Sequence, residues 1–134
     1  MRRQFQLPEP DEDFLNVLGR PWEAILEGGV RWLLMHQWPV PAGYNHPLVS
    51  AAVQVEQGYP DAQIDMVYFN PHLVRVDGKT IGALAGQQLD GGQWQRWSRH
   101  RTAENSWRSG IDDLSGHMLL VDYWLGREFE SRAA

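Results

Sequence analysis

The spacing of apolar and polar positions divides the chain into segments of different character. Near the start, an acidic run at 10–13 precedes a short apolar group and ends before Gly19. Asp11 is a suitable N-cap, and acidic side chains favour a helix N-terminus. The pattern therefore predicts a short helix from Asp11 to the residue before Gly19.

The next segments have the spacing of strands. Two apolar runs, 22–27 and 30–38, flank Gly28-Gly29, which is typical of a hairpin. A proline-rich loop follows, and further apolar runs occupy 48–55 and 64–69. A Gly-Tyr-Pro-Asp turn at 58–61 separates these last two runs. The four runs predict a four-stranded antiparallel meander.

The pattern weakens after Pro71 and recovers near the C-terminal end. Residues 72–93 contain five glycines and little periodicity, so we expect an irregular region that ends at Gly91-Gly92. Apolar residues then recur at spacings of three and four, which indicates an amphipathic helix. These residues are Ile111, Leu114, Met118, Val121 and Leu125. The helix is expected from about Ile111 to Gly126, with Asp112 and Asp113 in its first turn.

These elements indicate an α+β fold in which N-terminal and C-terminal helices cover one face of the meander. The length of 134 residues is that of one domain, so a single domain over 1–134 is expected. No apolar run approaches the roughly 18–20 residues that cross a bilayer. The first residues lack the apolar core of a secretory signal, and a cytoplasmic location is therefore expected.

Composition narrows the chemistry that is open to the chain. It has no cysteine, which excludes a thioester, a disulfide and a thiolate–metal bond. The net charge of −5 argues against bulk nucleic-acid binding. The five histidines have no close metal-ligand spacing, and no phosphate-binding glycine motif occurs. We therefore predict no metal and no cofactor.

Several motifs, taken in order, resemble the ubiquitin-conjugating enzymes. They are Tyr59-Pro60 in the turn, Asn70-Pro71-His72 after the fourth strand, Gly78–Gly82, and Trp97-Ser98-Arg99. The run Trp94–Arg101, followed by Trp107–Asp112, resembles more specifically the prokaryotic branch called Prok-E2 family E. The resemblance covers roughly residues 5 to 126.

The resemblance implies a ubiquitin-conjugating-enzyme-like fold and a bacterial pathway of protein modification. Its expected partners are a ubiquitin-like protein, an adenylating (activating) enzyme and a JAB-type metalloprotease. Members of the wider superfamily carry the modifier as a thioester on a cysteine, and the position that matches this cysteine here is Gly82. The chain is then either a non-catalytic partner or a protein that uses another nucleophile.

Three residues are candidates for such chemistry. His100, flanked by two arginines, is a possible general base or transient acyl acceptor. Ser98 would form an oxyester if His100 activated it, which requires an extended segment because only then do their side chains point alike. Asp112 would orient His100. The alternative is structural: a hydrogen-bonded histidine, a turn serine and an acid that suits a helix N-terminus.

Basic and aromatic residues interleave in the same region and are the candidates for partner binding. They are Arg96, Trp97, Arg99, Arg101 and Trp107. The arginines would bind the C-terminal carboxylate of a ubiquitin-like partner, or an acidic face of it, through paired hydrogen bonds. Two alternatives are a nucleic-acid strand, which the negative net charge disfavours, and simple packing of arginine on tryptophan.

Two functions follow from these residues and the resemblance. One is an enzyme-like component that accepts or passes on a ubiquitin-like protein without cysteine chemistry. The other is a non-catalytic binding module that holds the ubiquitin-like protein or its adenylating enzyme. The missing cysteine favours the second function, and the Trp-Ser-Arg-His run favours the first.

Overall fold

The computed structural model describes residues 1–130 and is an α+β protein with an antiparallel sheet. A 3₁₀ turn at Ala103–Asn105 precedes the last helix. In chain order the helices and strands are α1 (Glu9–Leu18), β1 (Trp22–Glu27), β2 (Val30–Pro39), β3 (Leu48–Gln54), β4 (Val67–Asn70), β5 (Leu84–Leu89), β6 (Gly92–Trp97) and α2 (Leu114–Arg127).

The sheet has six strands in the order β1-β2-β3-β4-β6-β5, so the prediction of four strands was wrong. Strands β5 and β6 form a hairpin inside the segment that was expected to be irregular. Asp90 and Gly91 both have positive φ, which suits the Asp-Gly turns of tight hairpins. Strand β5 contains no β-branched or aromatic residue, and its sequence therefore gives little sign of a strand.

Both helices begin at a residue other than the predicted one. Helix α1 starts at Glu9 after Pro8, so Asp11 lies inside it and is only 2% exposed. Helix α2 starts at Leu114, and the Asp113 side chain accepts the Gly116 N–H as its N-cap. Asp112 and the exposed Ile111 precede α2 instead of forming its first turn.

The fourth strand is also shorter at its N-terminal end than predicted. Met66 has a φ of 59°, which interrupts the extended backbone directly before β4. Ile64 is buried at 1% exposure although it lies outside the strand. The apolar pattern at 64–69 therefore indicated burial along much of its length, but only the part from Val67 onward forms a strand.

The sheet carries buried apolar residues on both faces. The helices cover one face, where β6 contributes Trp97 and α2 contributes Val121 and Leu125. Alternation along the strands places a second cluster on the opposite face. This second cluster consists of Ile25, Trp32, Leu34, Ala52, Tyr68, Leu89 and Trp94.

The sheet curls until its two ends meet beside the second cluster. Asp90, in the β5–β6 turn, accepts bidentate hydrogen bonds from Arg2, and the Asp90 N–H donates to Glu27 at the end of β1. Arg2 also donates to Glu23 on β1. In the described part of the chain, no helix is long and apolar enough to cross a membrane.

Candidate functional site

A cleft of about 850 Å³ lies between the segment that follows β4 and the C-terminal end of α2. Gly82, which the resemblance was expected to place at the cysteine position, is part of its lining, and Ser98 lies there as well. A Cβ atom added at Gly82 would meet nothing within 4 Å. The remaining lining residues are Arg75, Lys79, Thr80, Ala83, Arg99, Glu128, Phe129 and Glu130.

Arg99 joins the two walls of this cleft. Its Nη1 donates to the Gly82 carbonyl at 3.0 Å, and its Nη2 lies 3.5 Å from a carboxylate oxygen of Glu128. The Arg99 guanidinium carbon lies 4.9 Å from the centre of the Trp97 ring. A cation held between an aromatic face and a carboxylate loses little further entropy on binding a ligand.

Arg75 fixes the outer part of the cleft. It is only 8% exposed and donates two hydrogen bonds to Asp77 and one to the Glu128 carbonyl. The hydrogen bonds from Arg75 hold the pKa of Asp77 below its usual value. Arg75 also lies 4.5 Å from the centre of the Phe129 ring. These contacts tie the segment after β4 to the end of α2.

The Phe129 ring needs a glycine beneath it. Gly43 has a φ of +109°, and a Cβ atom there would lie 2.6 Å from the ring. Both the backbone conformation and the close approach therefore require glycine at this position. Neither residue was identified from the sequence, because Gly43 lies in a proline-rich loop far from Phe129 along the chain.

A buried glutamine holds the segment that leads into the cleft. The Gln95 amide donates to the Leu73 carbonyl and accepts the Leu73 N–H, both at 3.0 Å. The same Gln95 oxygen accepts the Trp97 indole N–H at 2.9 Å. Gln95 is 5% exposed, so these bonds satisfy polar groups inside the core.

His100 is paired with a carboxylate that the sequence did not indicate. Its Nδ1 lies 3.0 Å from both carboxylate oxygens of Asp65, which precedes β4. The His100 side chain is 60% exposed and that of Asp65 is 35% exposed. The two residues are 35 positions apart, and no local pattern connects them.

Asp112, which was expected to orient His100, bonds elsewhere. It accepts two hydrogen bonds from the Arg108 guanidinium and one from the Arg108 backbone N–H. Arg101 Nη1 lies 4.0 Å from Asp112 Oδ2. The hydrogen bonds from Arg108 lower the pKa of Asp112. Asp65, and not Asp112, is therefore the carboxylate beside His100.

Ser98 lies in the cleft, and no base among residues 1–130 is hydrogen-bonded to its hydroxyl. Its backbone N–H donates to the Ala83 carbonyl, which extends the β5–β6 pairing by one step. Within residues 1–130 its hydroxyl makes no hydrogen bond to another side chain. The expected activation of Ser98 by His100 is thus not part of this geometry.

The basic and aromatic candidates have separate positions. Trp97 is fully buried and cannot contact a partner directly, because it fills the core below β6. Arg101 lies 5.0 Å from the Trp107 ring centre, and the Trp107 indole donates to the Pro60 carbonyl. Arg96 is half-buried on β6, and its Nε has no partner in the described chain. Packing of arginine on tryptophan therefore accounts for Arg101 and part of Arg99.

No group of three histidine, aspartate or glutamate side chains is arranged to hold a metal ion within residues 1–130. Of the predicted site residues, the structure brings Ser98 and Arg99 together in the cleft with Gly82. His100 is turned toward Asp65, and Asp112, Arg101 and Trp107 form a separate group. The cleft residues Lys79 and Glu128 were not identified from the sequence.

Comparison with known proteins assigns the chain to a family by its sequence. No curated protein and no solved structure matches it. The family model described as "Prokaryotic E2 family E" matches residues 7–128, which include the β5–β6 hairpin, all of α2 and every cleft residue except Phe129 and Glu130. The match covers most of the sequence, and the chain therefore belongs to prokaryotic E2 family E, as a member without a catalytic cysteine.

Proposed function

We propose that this chain is a component of a bacterial ubiquitin-like protein conjugation pathway that binds a ubiquitin-like protein without carrying it covalently. Membership of the E2 family supports the pathway. The proposed partners are the ubiquitin-like protein, its adenylating enzyme and a JAB-type metalloprotease that acts on the same modifier. The fold is proposed to be a single ubiquitin-conjugating-enzyme-like domain, to which the β5–β6 hairpin adds two strands.

One observation carries the choice of a binding function. Gly82 stands where the catalytic cysteine is expected, in an open cleft, and within residues 1–130 no base is hydrogen-bonded to the hydroxyl of Ser98 beside it. A serine hydroxyl is a poor nucleophile unless a neighbouring base accepts its proton. The cleft therefore offers a place for an extended chain but no activated nucleophile.

The His100–Asp65 pair favours a second candidate, in which the chain carries an acyl group. A carboxylate on Nδ1 fixes the tautomer of an imidazole and leaves its other nitrogen free to react. The free Nε2 would attack the activated carboxyl carbon of the modifier, and the activating group would leave. The 60% exposure of His100 permits such an approach.

Intact-mass spectrometry distinguishes the two candidates. The chain would be mixed with the ubiquitin-like protein encoded beside it, the adenylating enzyme and ATP. The binding function predicts no covalent mass gain, together with co-elution of the chain and the modifier on size exclusion. A mass gain of one modifier that is lost in His100→Ala would overturn it in favour of the acyl carrier.

Gly82→Cys is the matched variant for this experiment. A side chain fits at Gly82 because the space around its Cβ position is open and its φ is not positive. If the cleft receives the end of the modifier, the new thiol displaces the activating group and gains one modifier as a thioester, which an excess of free thiol or mild base breaks. The same thiol placed at His72, an exposed position outside the cleft lining, is the control and should gain none.

A further inference from the structure

Strand β5 is an open edge of the sheet. Within residues 1–130 it stands last in the strand order, with β6 as its only strand partner. The opposite edge, β1, is covered by the N-terminal segment, because Ala24 exchanges backbone hydrogen bonds with Arg2 and Gln4. The chain thus protects one edge of its sheet and leaves the other free.

The pairing of β5 with β6 shows which backbone groups face outward. The Ala83 carbonyl accepts the Ser98 N–H, and hydrogen-bonded and non-hydrogen-bonded pairs alternate along an antiparallel ladder. Residues 85, 87 and 89 therefore bond to β6. Residues 84, 86 and 88 direct their N–H and C=O groups to the open edge. Of these groups, only the Gln88 carbonyl accepts a hydrogen bond within the described residues, from the Gln87 side chain.

Strand β5 has none of the devices that usually prevent pairing at an edge. Sheet edges are commonly blocked by charged side chains, proline or a bulge. The sequence holds no charged residue and no proline between Lys79 and Asp90. The register from Leu84 to Leu89 is continuous, without a bulge.

The open edge is continuous with the cleft. Gly82 and Ala83 line the cleft and lead directly into Leu84, the first residue of β5. A peptide that pairs antiparallel to β5 runs toward this end, so its C-terminus enters the cleft. Lys79 lies at that end and forms no ion pair within the described residues, which leaves a cation for a terminal carboxylate.

We propose that β5 is the docking strand for the extended C-terminal tail of a ubiquitin-like protein, which adds to the sheet as an antiparallel seventh strand. The inference rests on the proposed binding function and specifies how the partner is held. Backbone hydrogen bonds to residues 84, 86 and 88 supply the affinity, as in other cases of strand addition. The uncharged strand favours a tail of small or polar uncharged residues.

Amide hydrogen exchange, read residue by residue with NMR, tests this pairing on the unmodified chain. Addition of the isolated ubiquitin-like protein should slow exchange at Leu84, Gly86 and Gln88, whose N–H groups face outward. The amides of the residues between them already bond to β6 and should change much less. A ubiquitin-like protein without its last six or so residues should leave the pattern of the free chain.

The outcomes separate this inference from the proposed function. Binding without new protection at the even-numbered residues would overturn strand addition and leave the binding function intact. Absence of any binding would overturn both. Protection that appears without the partner and rises with the concentration of the chain would identify a second copy as the occupant, and would also overturn the inference.

Gly86→Pro provides an independent test with a matched control. Proline removes the outward N–H and blocks the edge, while the neighbouring bonds to β6 remain. We expect the affinity for the ubiquitin-like protein to fall at least about tenfold, because hydrogen bonds at the centre of the added strand are lost. Gly86→Ala keeps the N–H and has room for its Cβ, so it should bind as the unmodified chain does. Equal affinities for both folded variants would contradict the inference.

Discussion

At the scale of single residues, His117 combines deep burial with an ionisable group. It is 1% exposed on α2, and its Nε2–H donates to the Met66 carbonyl at 2.8 Å. Its Nδ1 is buried and has no partner in the described chain. Burial lowers the pKa of His117 to about 4, and Arg101 contributes in the same direction. The imidazole is therefore neutral in the folded protein at ordinary pH.

This burial predicts a loss of stability in mild acid. Because the pKa of His117 in the folded protein lies below the usual histidine value of 6.5, the unfolded chain binds more protons between about pH 6.5 and pH 4. The contribution of His117 to the free energy of unfolding should therefore fall across this window, by on the order of 2–4 kcal/mol. Urea unfolding at several pH values measures it, and His117→Gln should show a flatter profile.

The exposed His72 supplies the control, because His72→Gln should keep the slope of the unmodified chain. Asp11 acts in the opposite sense, because burial raises its pKa. Its contribution to the free energy of unfolding therefore falls as the pH rises above the usual pKa of an aspartate. The pH dependence of the free energy of unfolding is therefore compared between variants, because the profile of one protein contains both effects. Identical slopes for the His117 and His72 variants would contradict the assignment.

At the scale of elements, Asp11 joins three parts of the chain. It lies on α1, accepts a hydrogen bond from the Tyr59 hydroxyl in the Gly-Tyr-Pro turn, and accepts the Leu114 N–H at the start of α2. Burial is the main cause of its raised pKa, and the hydrogen bonds from Tyr59 and Leu114 oppose it. The sequence suggested an N-cap for its own helix, whereas Asp11 reaches the first turn of the other helix.

Replacement of Asp11 should separate its hydrogen bonds from its charge. Asp11→Ala leaves the Tyr59 hydroxyl and the Leu114 N–H without an acceptor in a buried place, and we expect a loss of about 2–4 kcal/mol in the free energy of unfolding. Asp11→Asn keeps one oxygen to accept the Leu114 N–H, can donate from its amide to the Tyr59 hydroxyl oxygen, and removes a buried charge, so its loss should stay below about 1 kcal/mol. Chemical denaturation measures both, and equal losses would show that the charge is what matters.

The elements were predictable where the signal was local. The first hairpin follows from two apolar runs around Gly28-Gly29, and α2 follows from its spacing of three and four. The β5–β6 hairpin was missed because its first strand contains only leucine, alanine, glycine and glutamine. The prediction used only Gly91-Gly92, as the end of an irregular segment, although the overlapping Asp90-Gly91 is a strong hairpin signal.

The candidate site was less predictable than the fold, because its contacts span long distances along the chain. Ser98 and Gly82 share the cleft only because β5 and β6 pair, and that pairing was not foreseen. The partner of His100 is Asp65, which no spacing near His100 reveals. Trp97 was expected at a surface, but it lies two residues after the buried Gln95 on β6 and therefore shares its core-facing side of the strand.

At the scale of the whole molecule, the N-terminal segment ties β1 to the β5–β6 turn and leaves the outer edge of β5 uncovered within residues 1–130. It covers the edge of β1 through backbone bonds, and Arg2 connects Glu23 of β1 with Asp90 of the β5–β6 turn. Hydrogen bonds from Arg2 and His36 help to lower the pKa of Glu23 to about 2. A few residues outside every helix and strand thus join β1 to the β5–β6 turn.

Removal of residues 1–4 should therefore expose a second open edge. We expect the shortened chain to self-associate as its concentration rises, because unpaired strands promote pairing between molecules. Sedimentation velocity at several concentrations measures this. Arg2→Gln is the control, since it removes the ion pairs but keeps the backbone cover of β1, and it should sediment as the unmodified chain does. Identical behaviour of the shortened chain would contradict the edge-covering role.

The placement of Trp94 and Trp97 on opposite faces of β6 has an optical consequence. One indole lies in the cluster under the helices and the other in the cluster enclosed by the curl of the sheet. A single strand thus carries a natural chromophore for each side of the sheet. The chain has seven tryptophans, so the contribution of each of these two is obtained by difference. Subtracting the emission of Trp94→Phe or Trp97→Phe from that of the unmodified chain gives the signal of one side of the sheet, so that the order in which the two halves of the interior loosen can be followed without any attached dye.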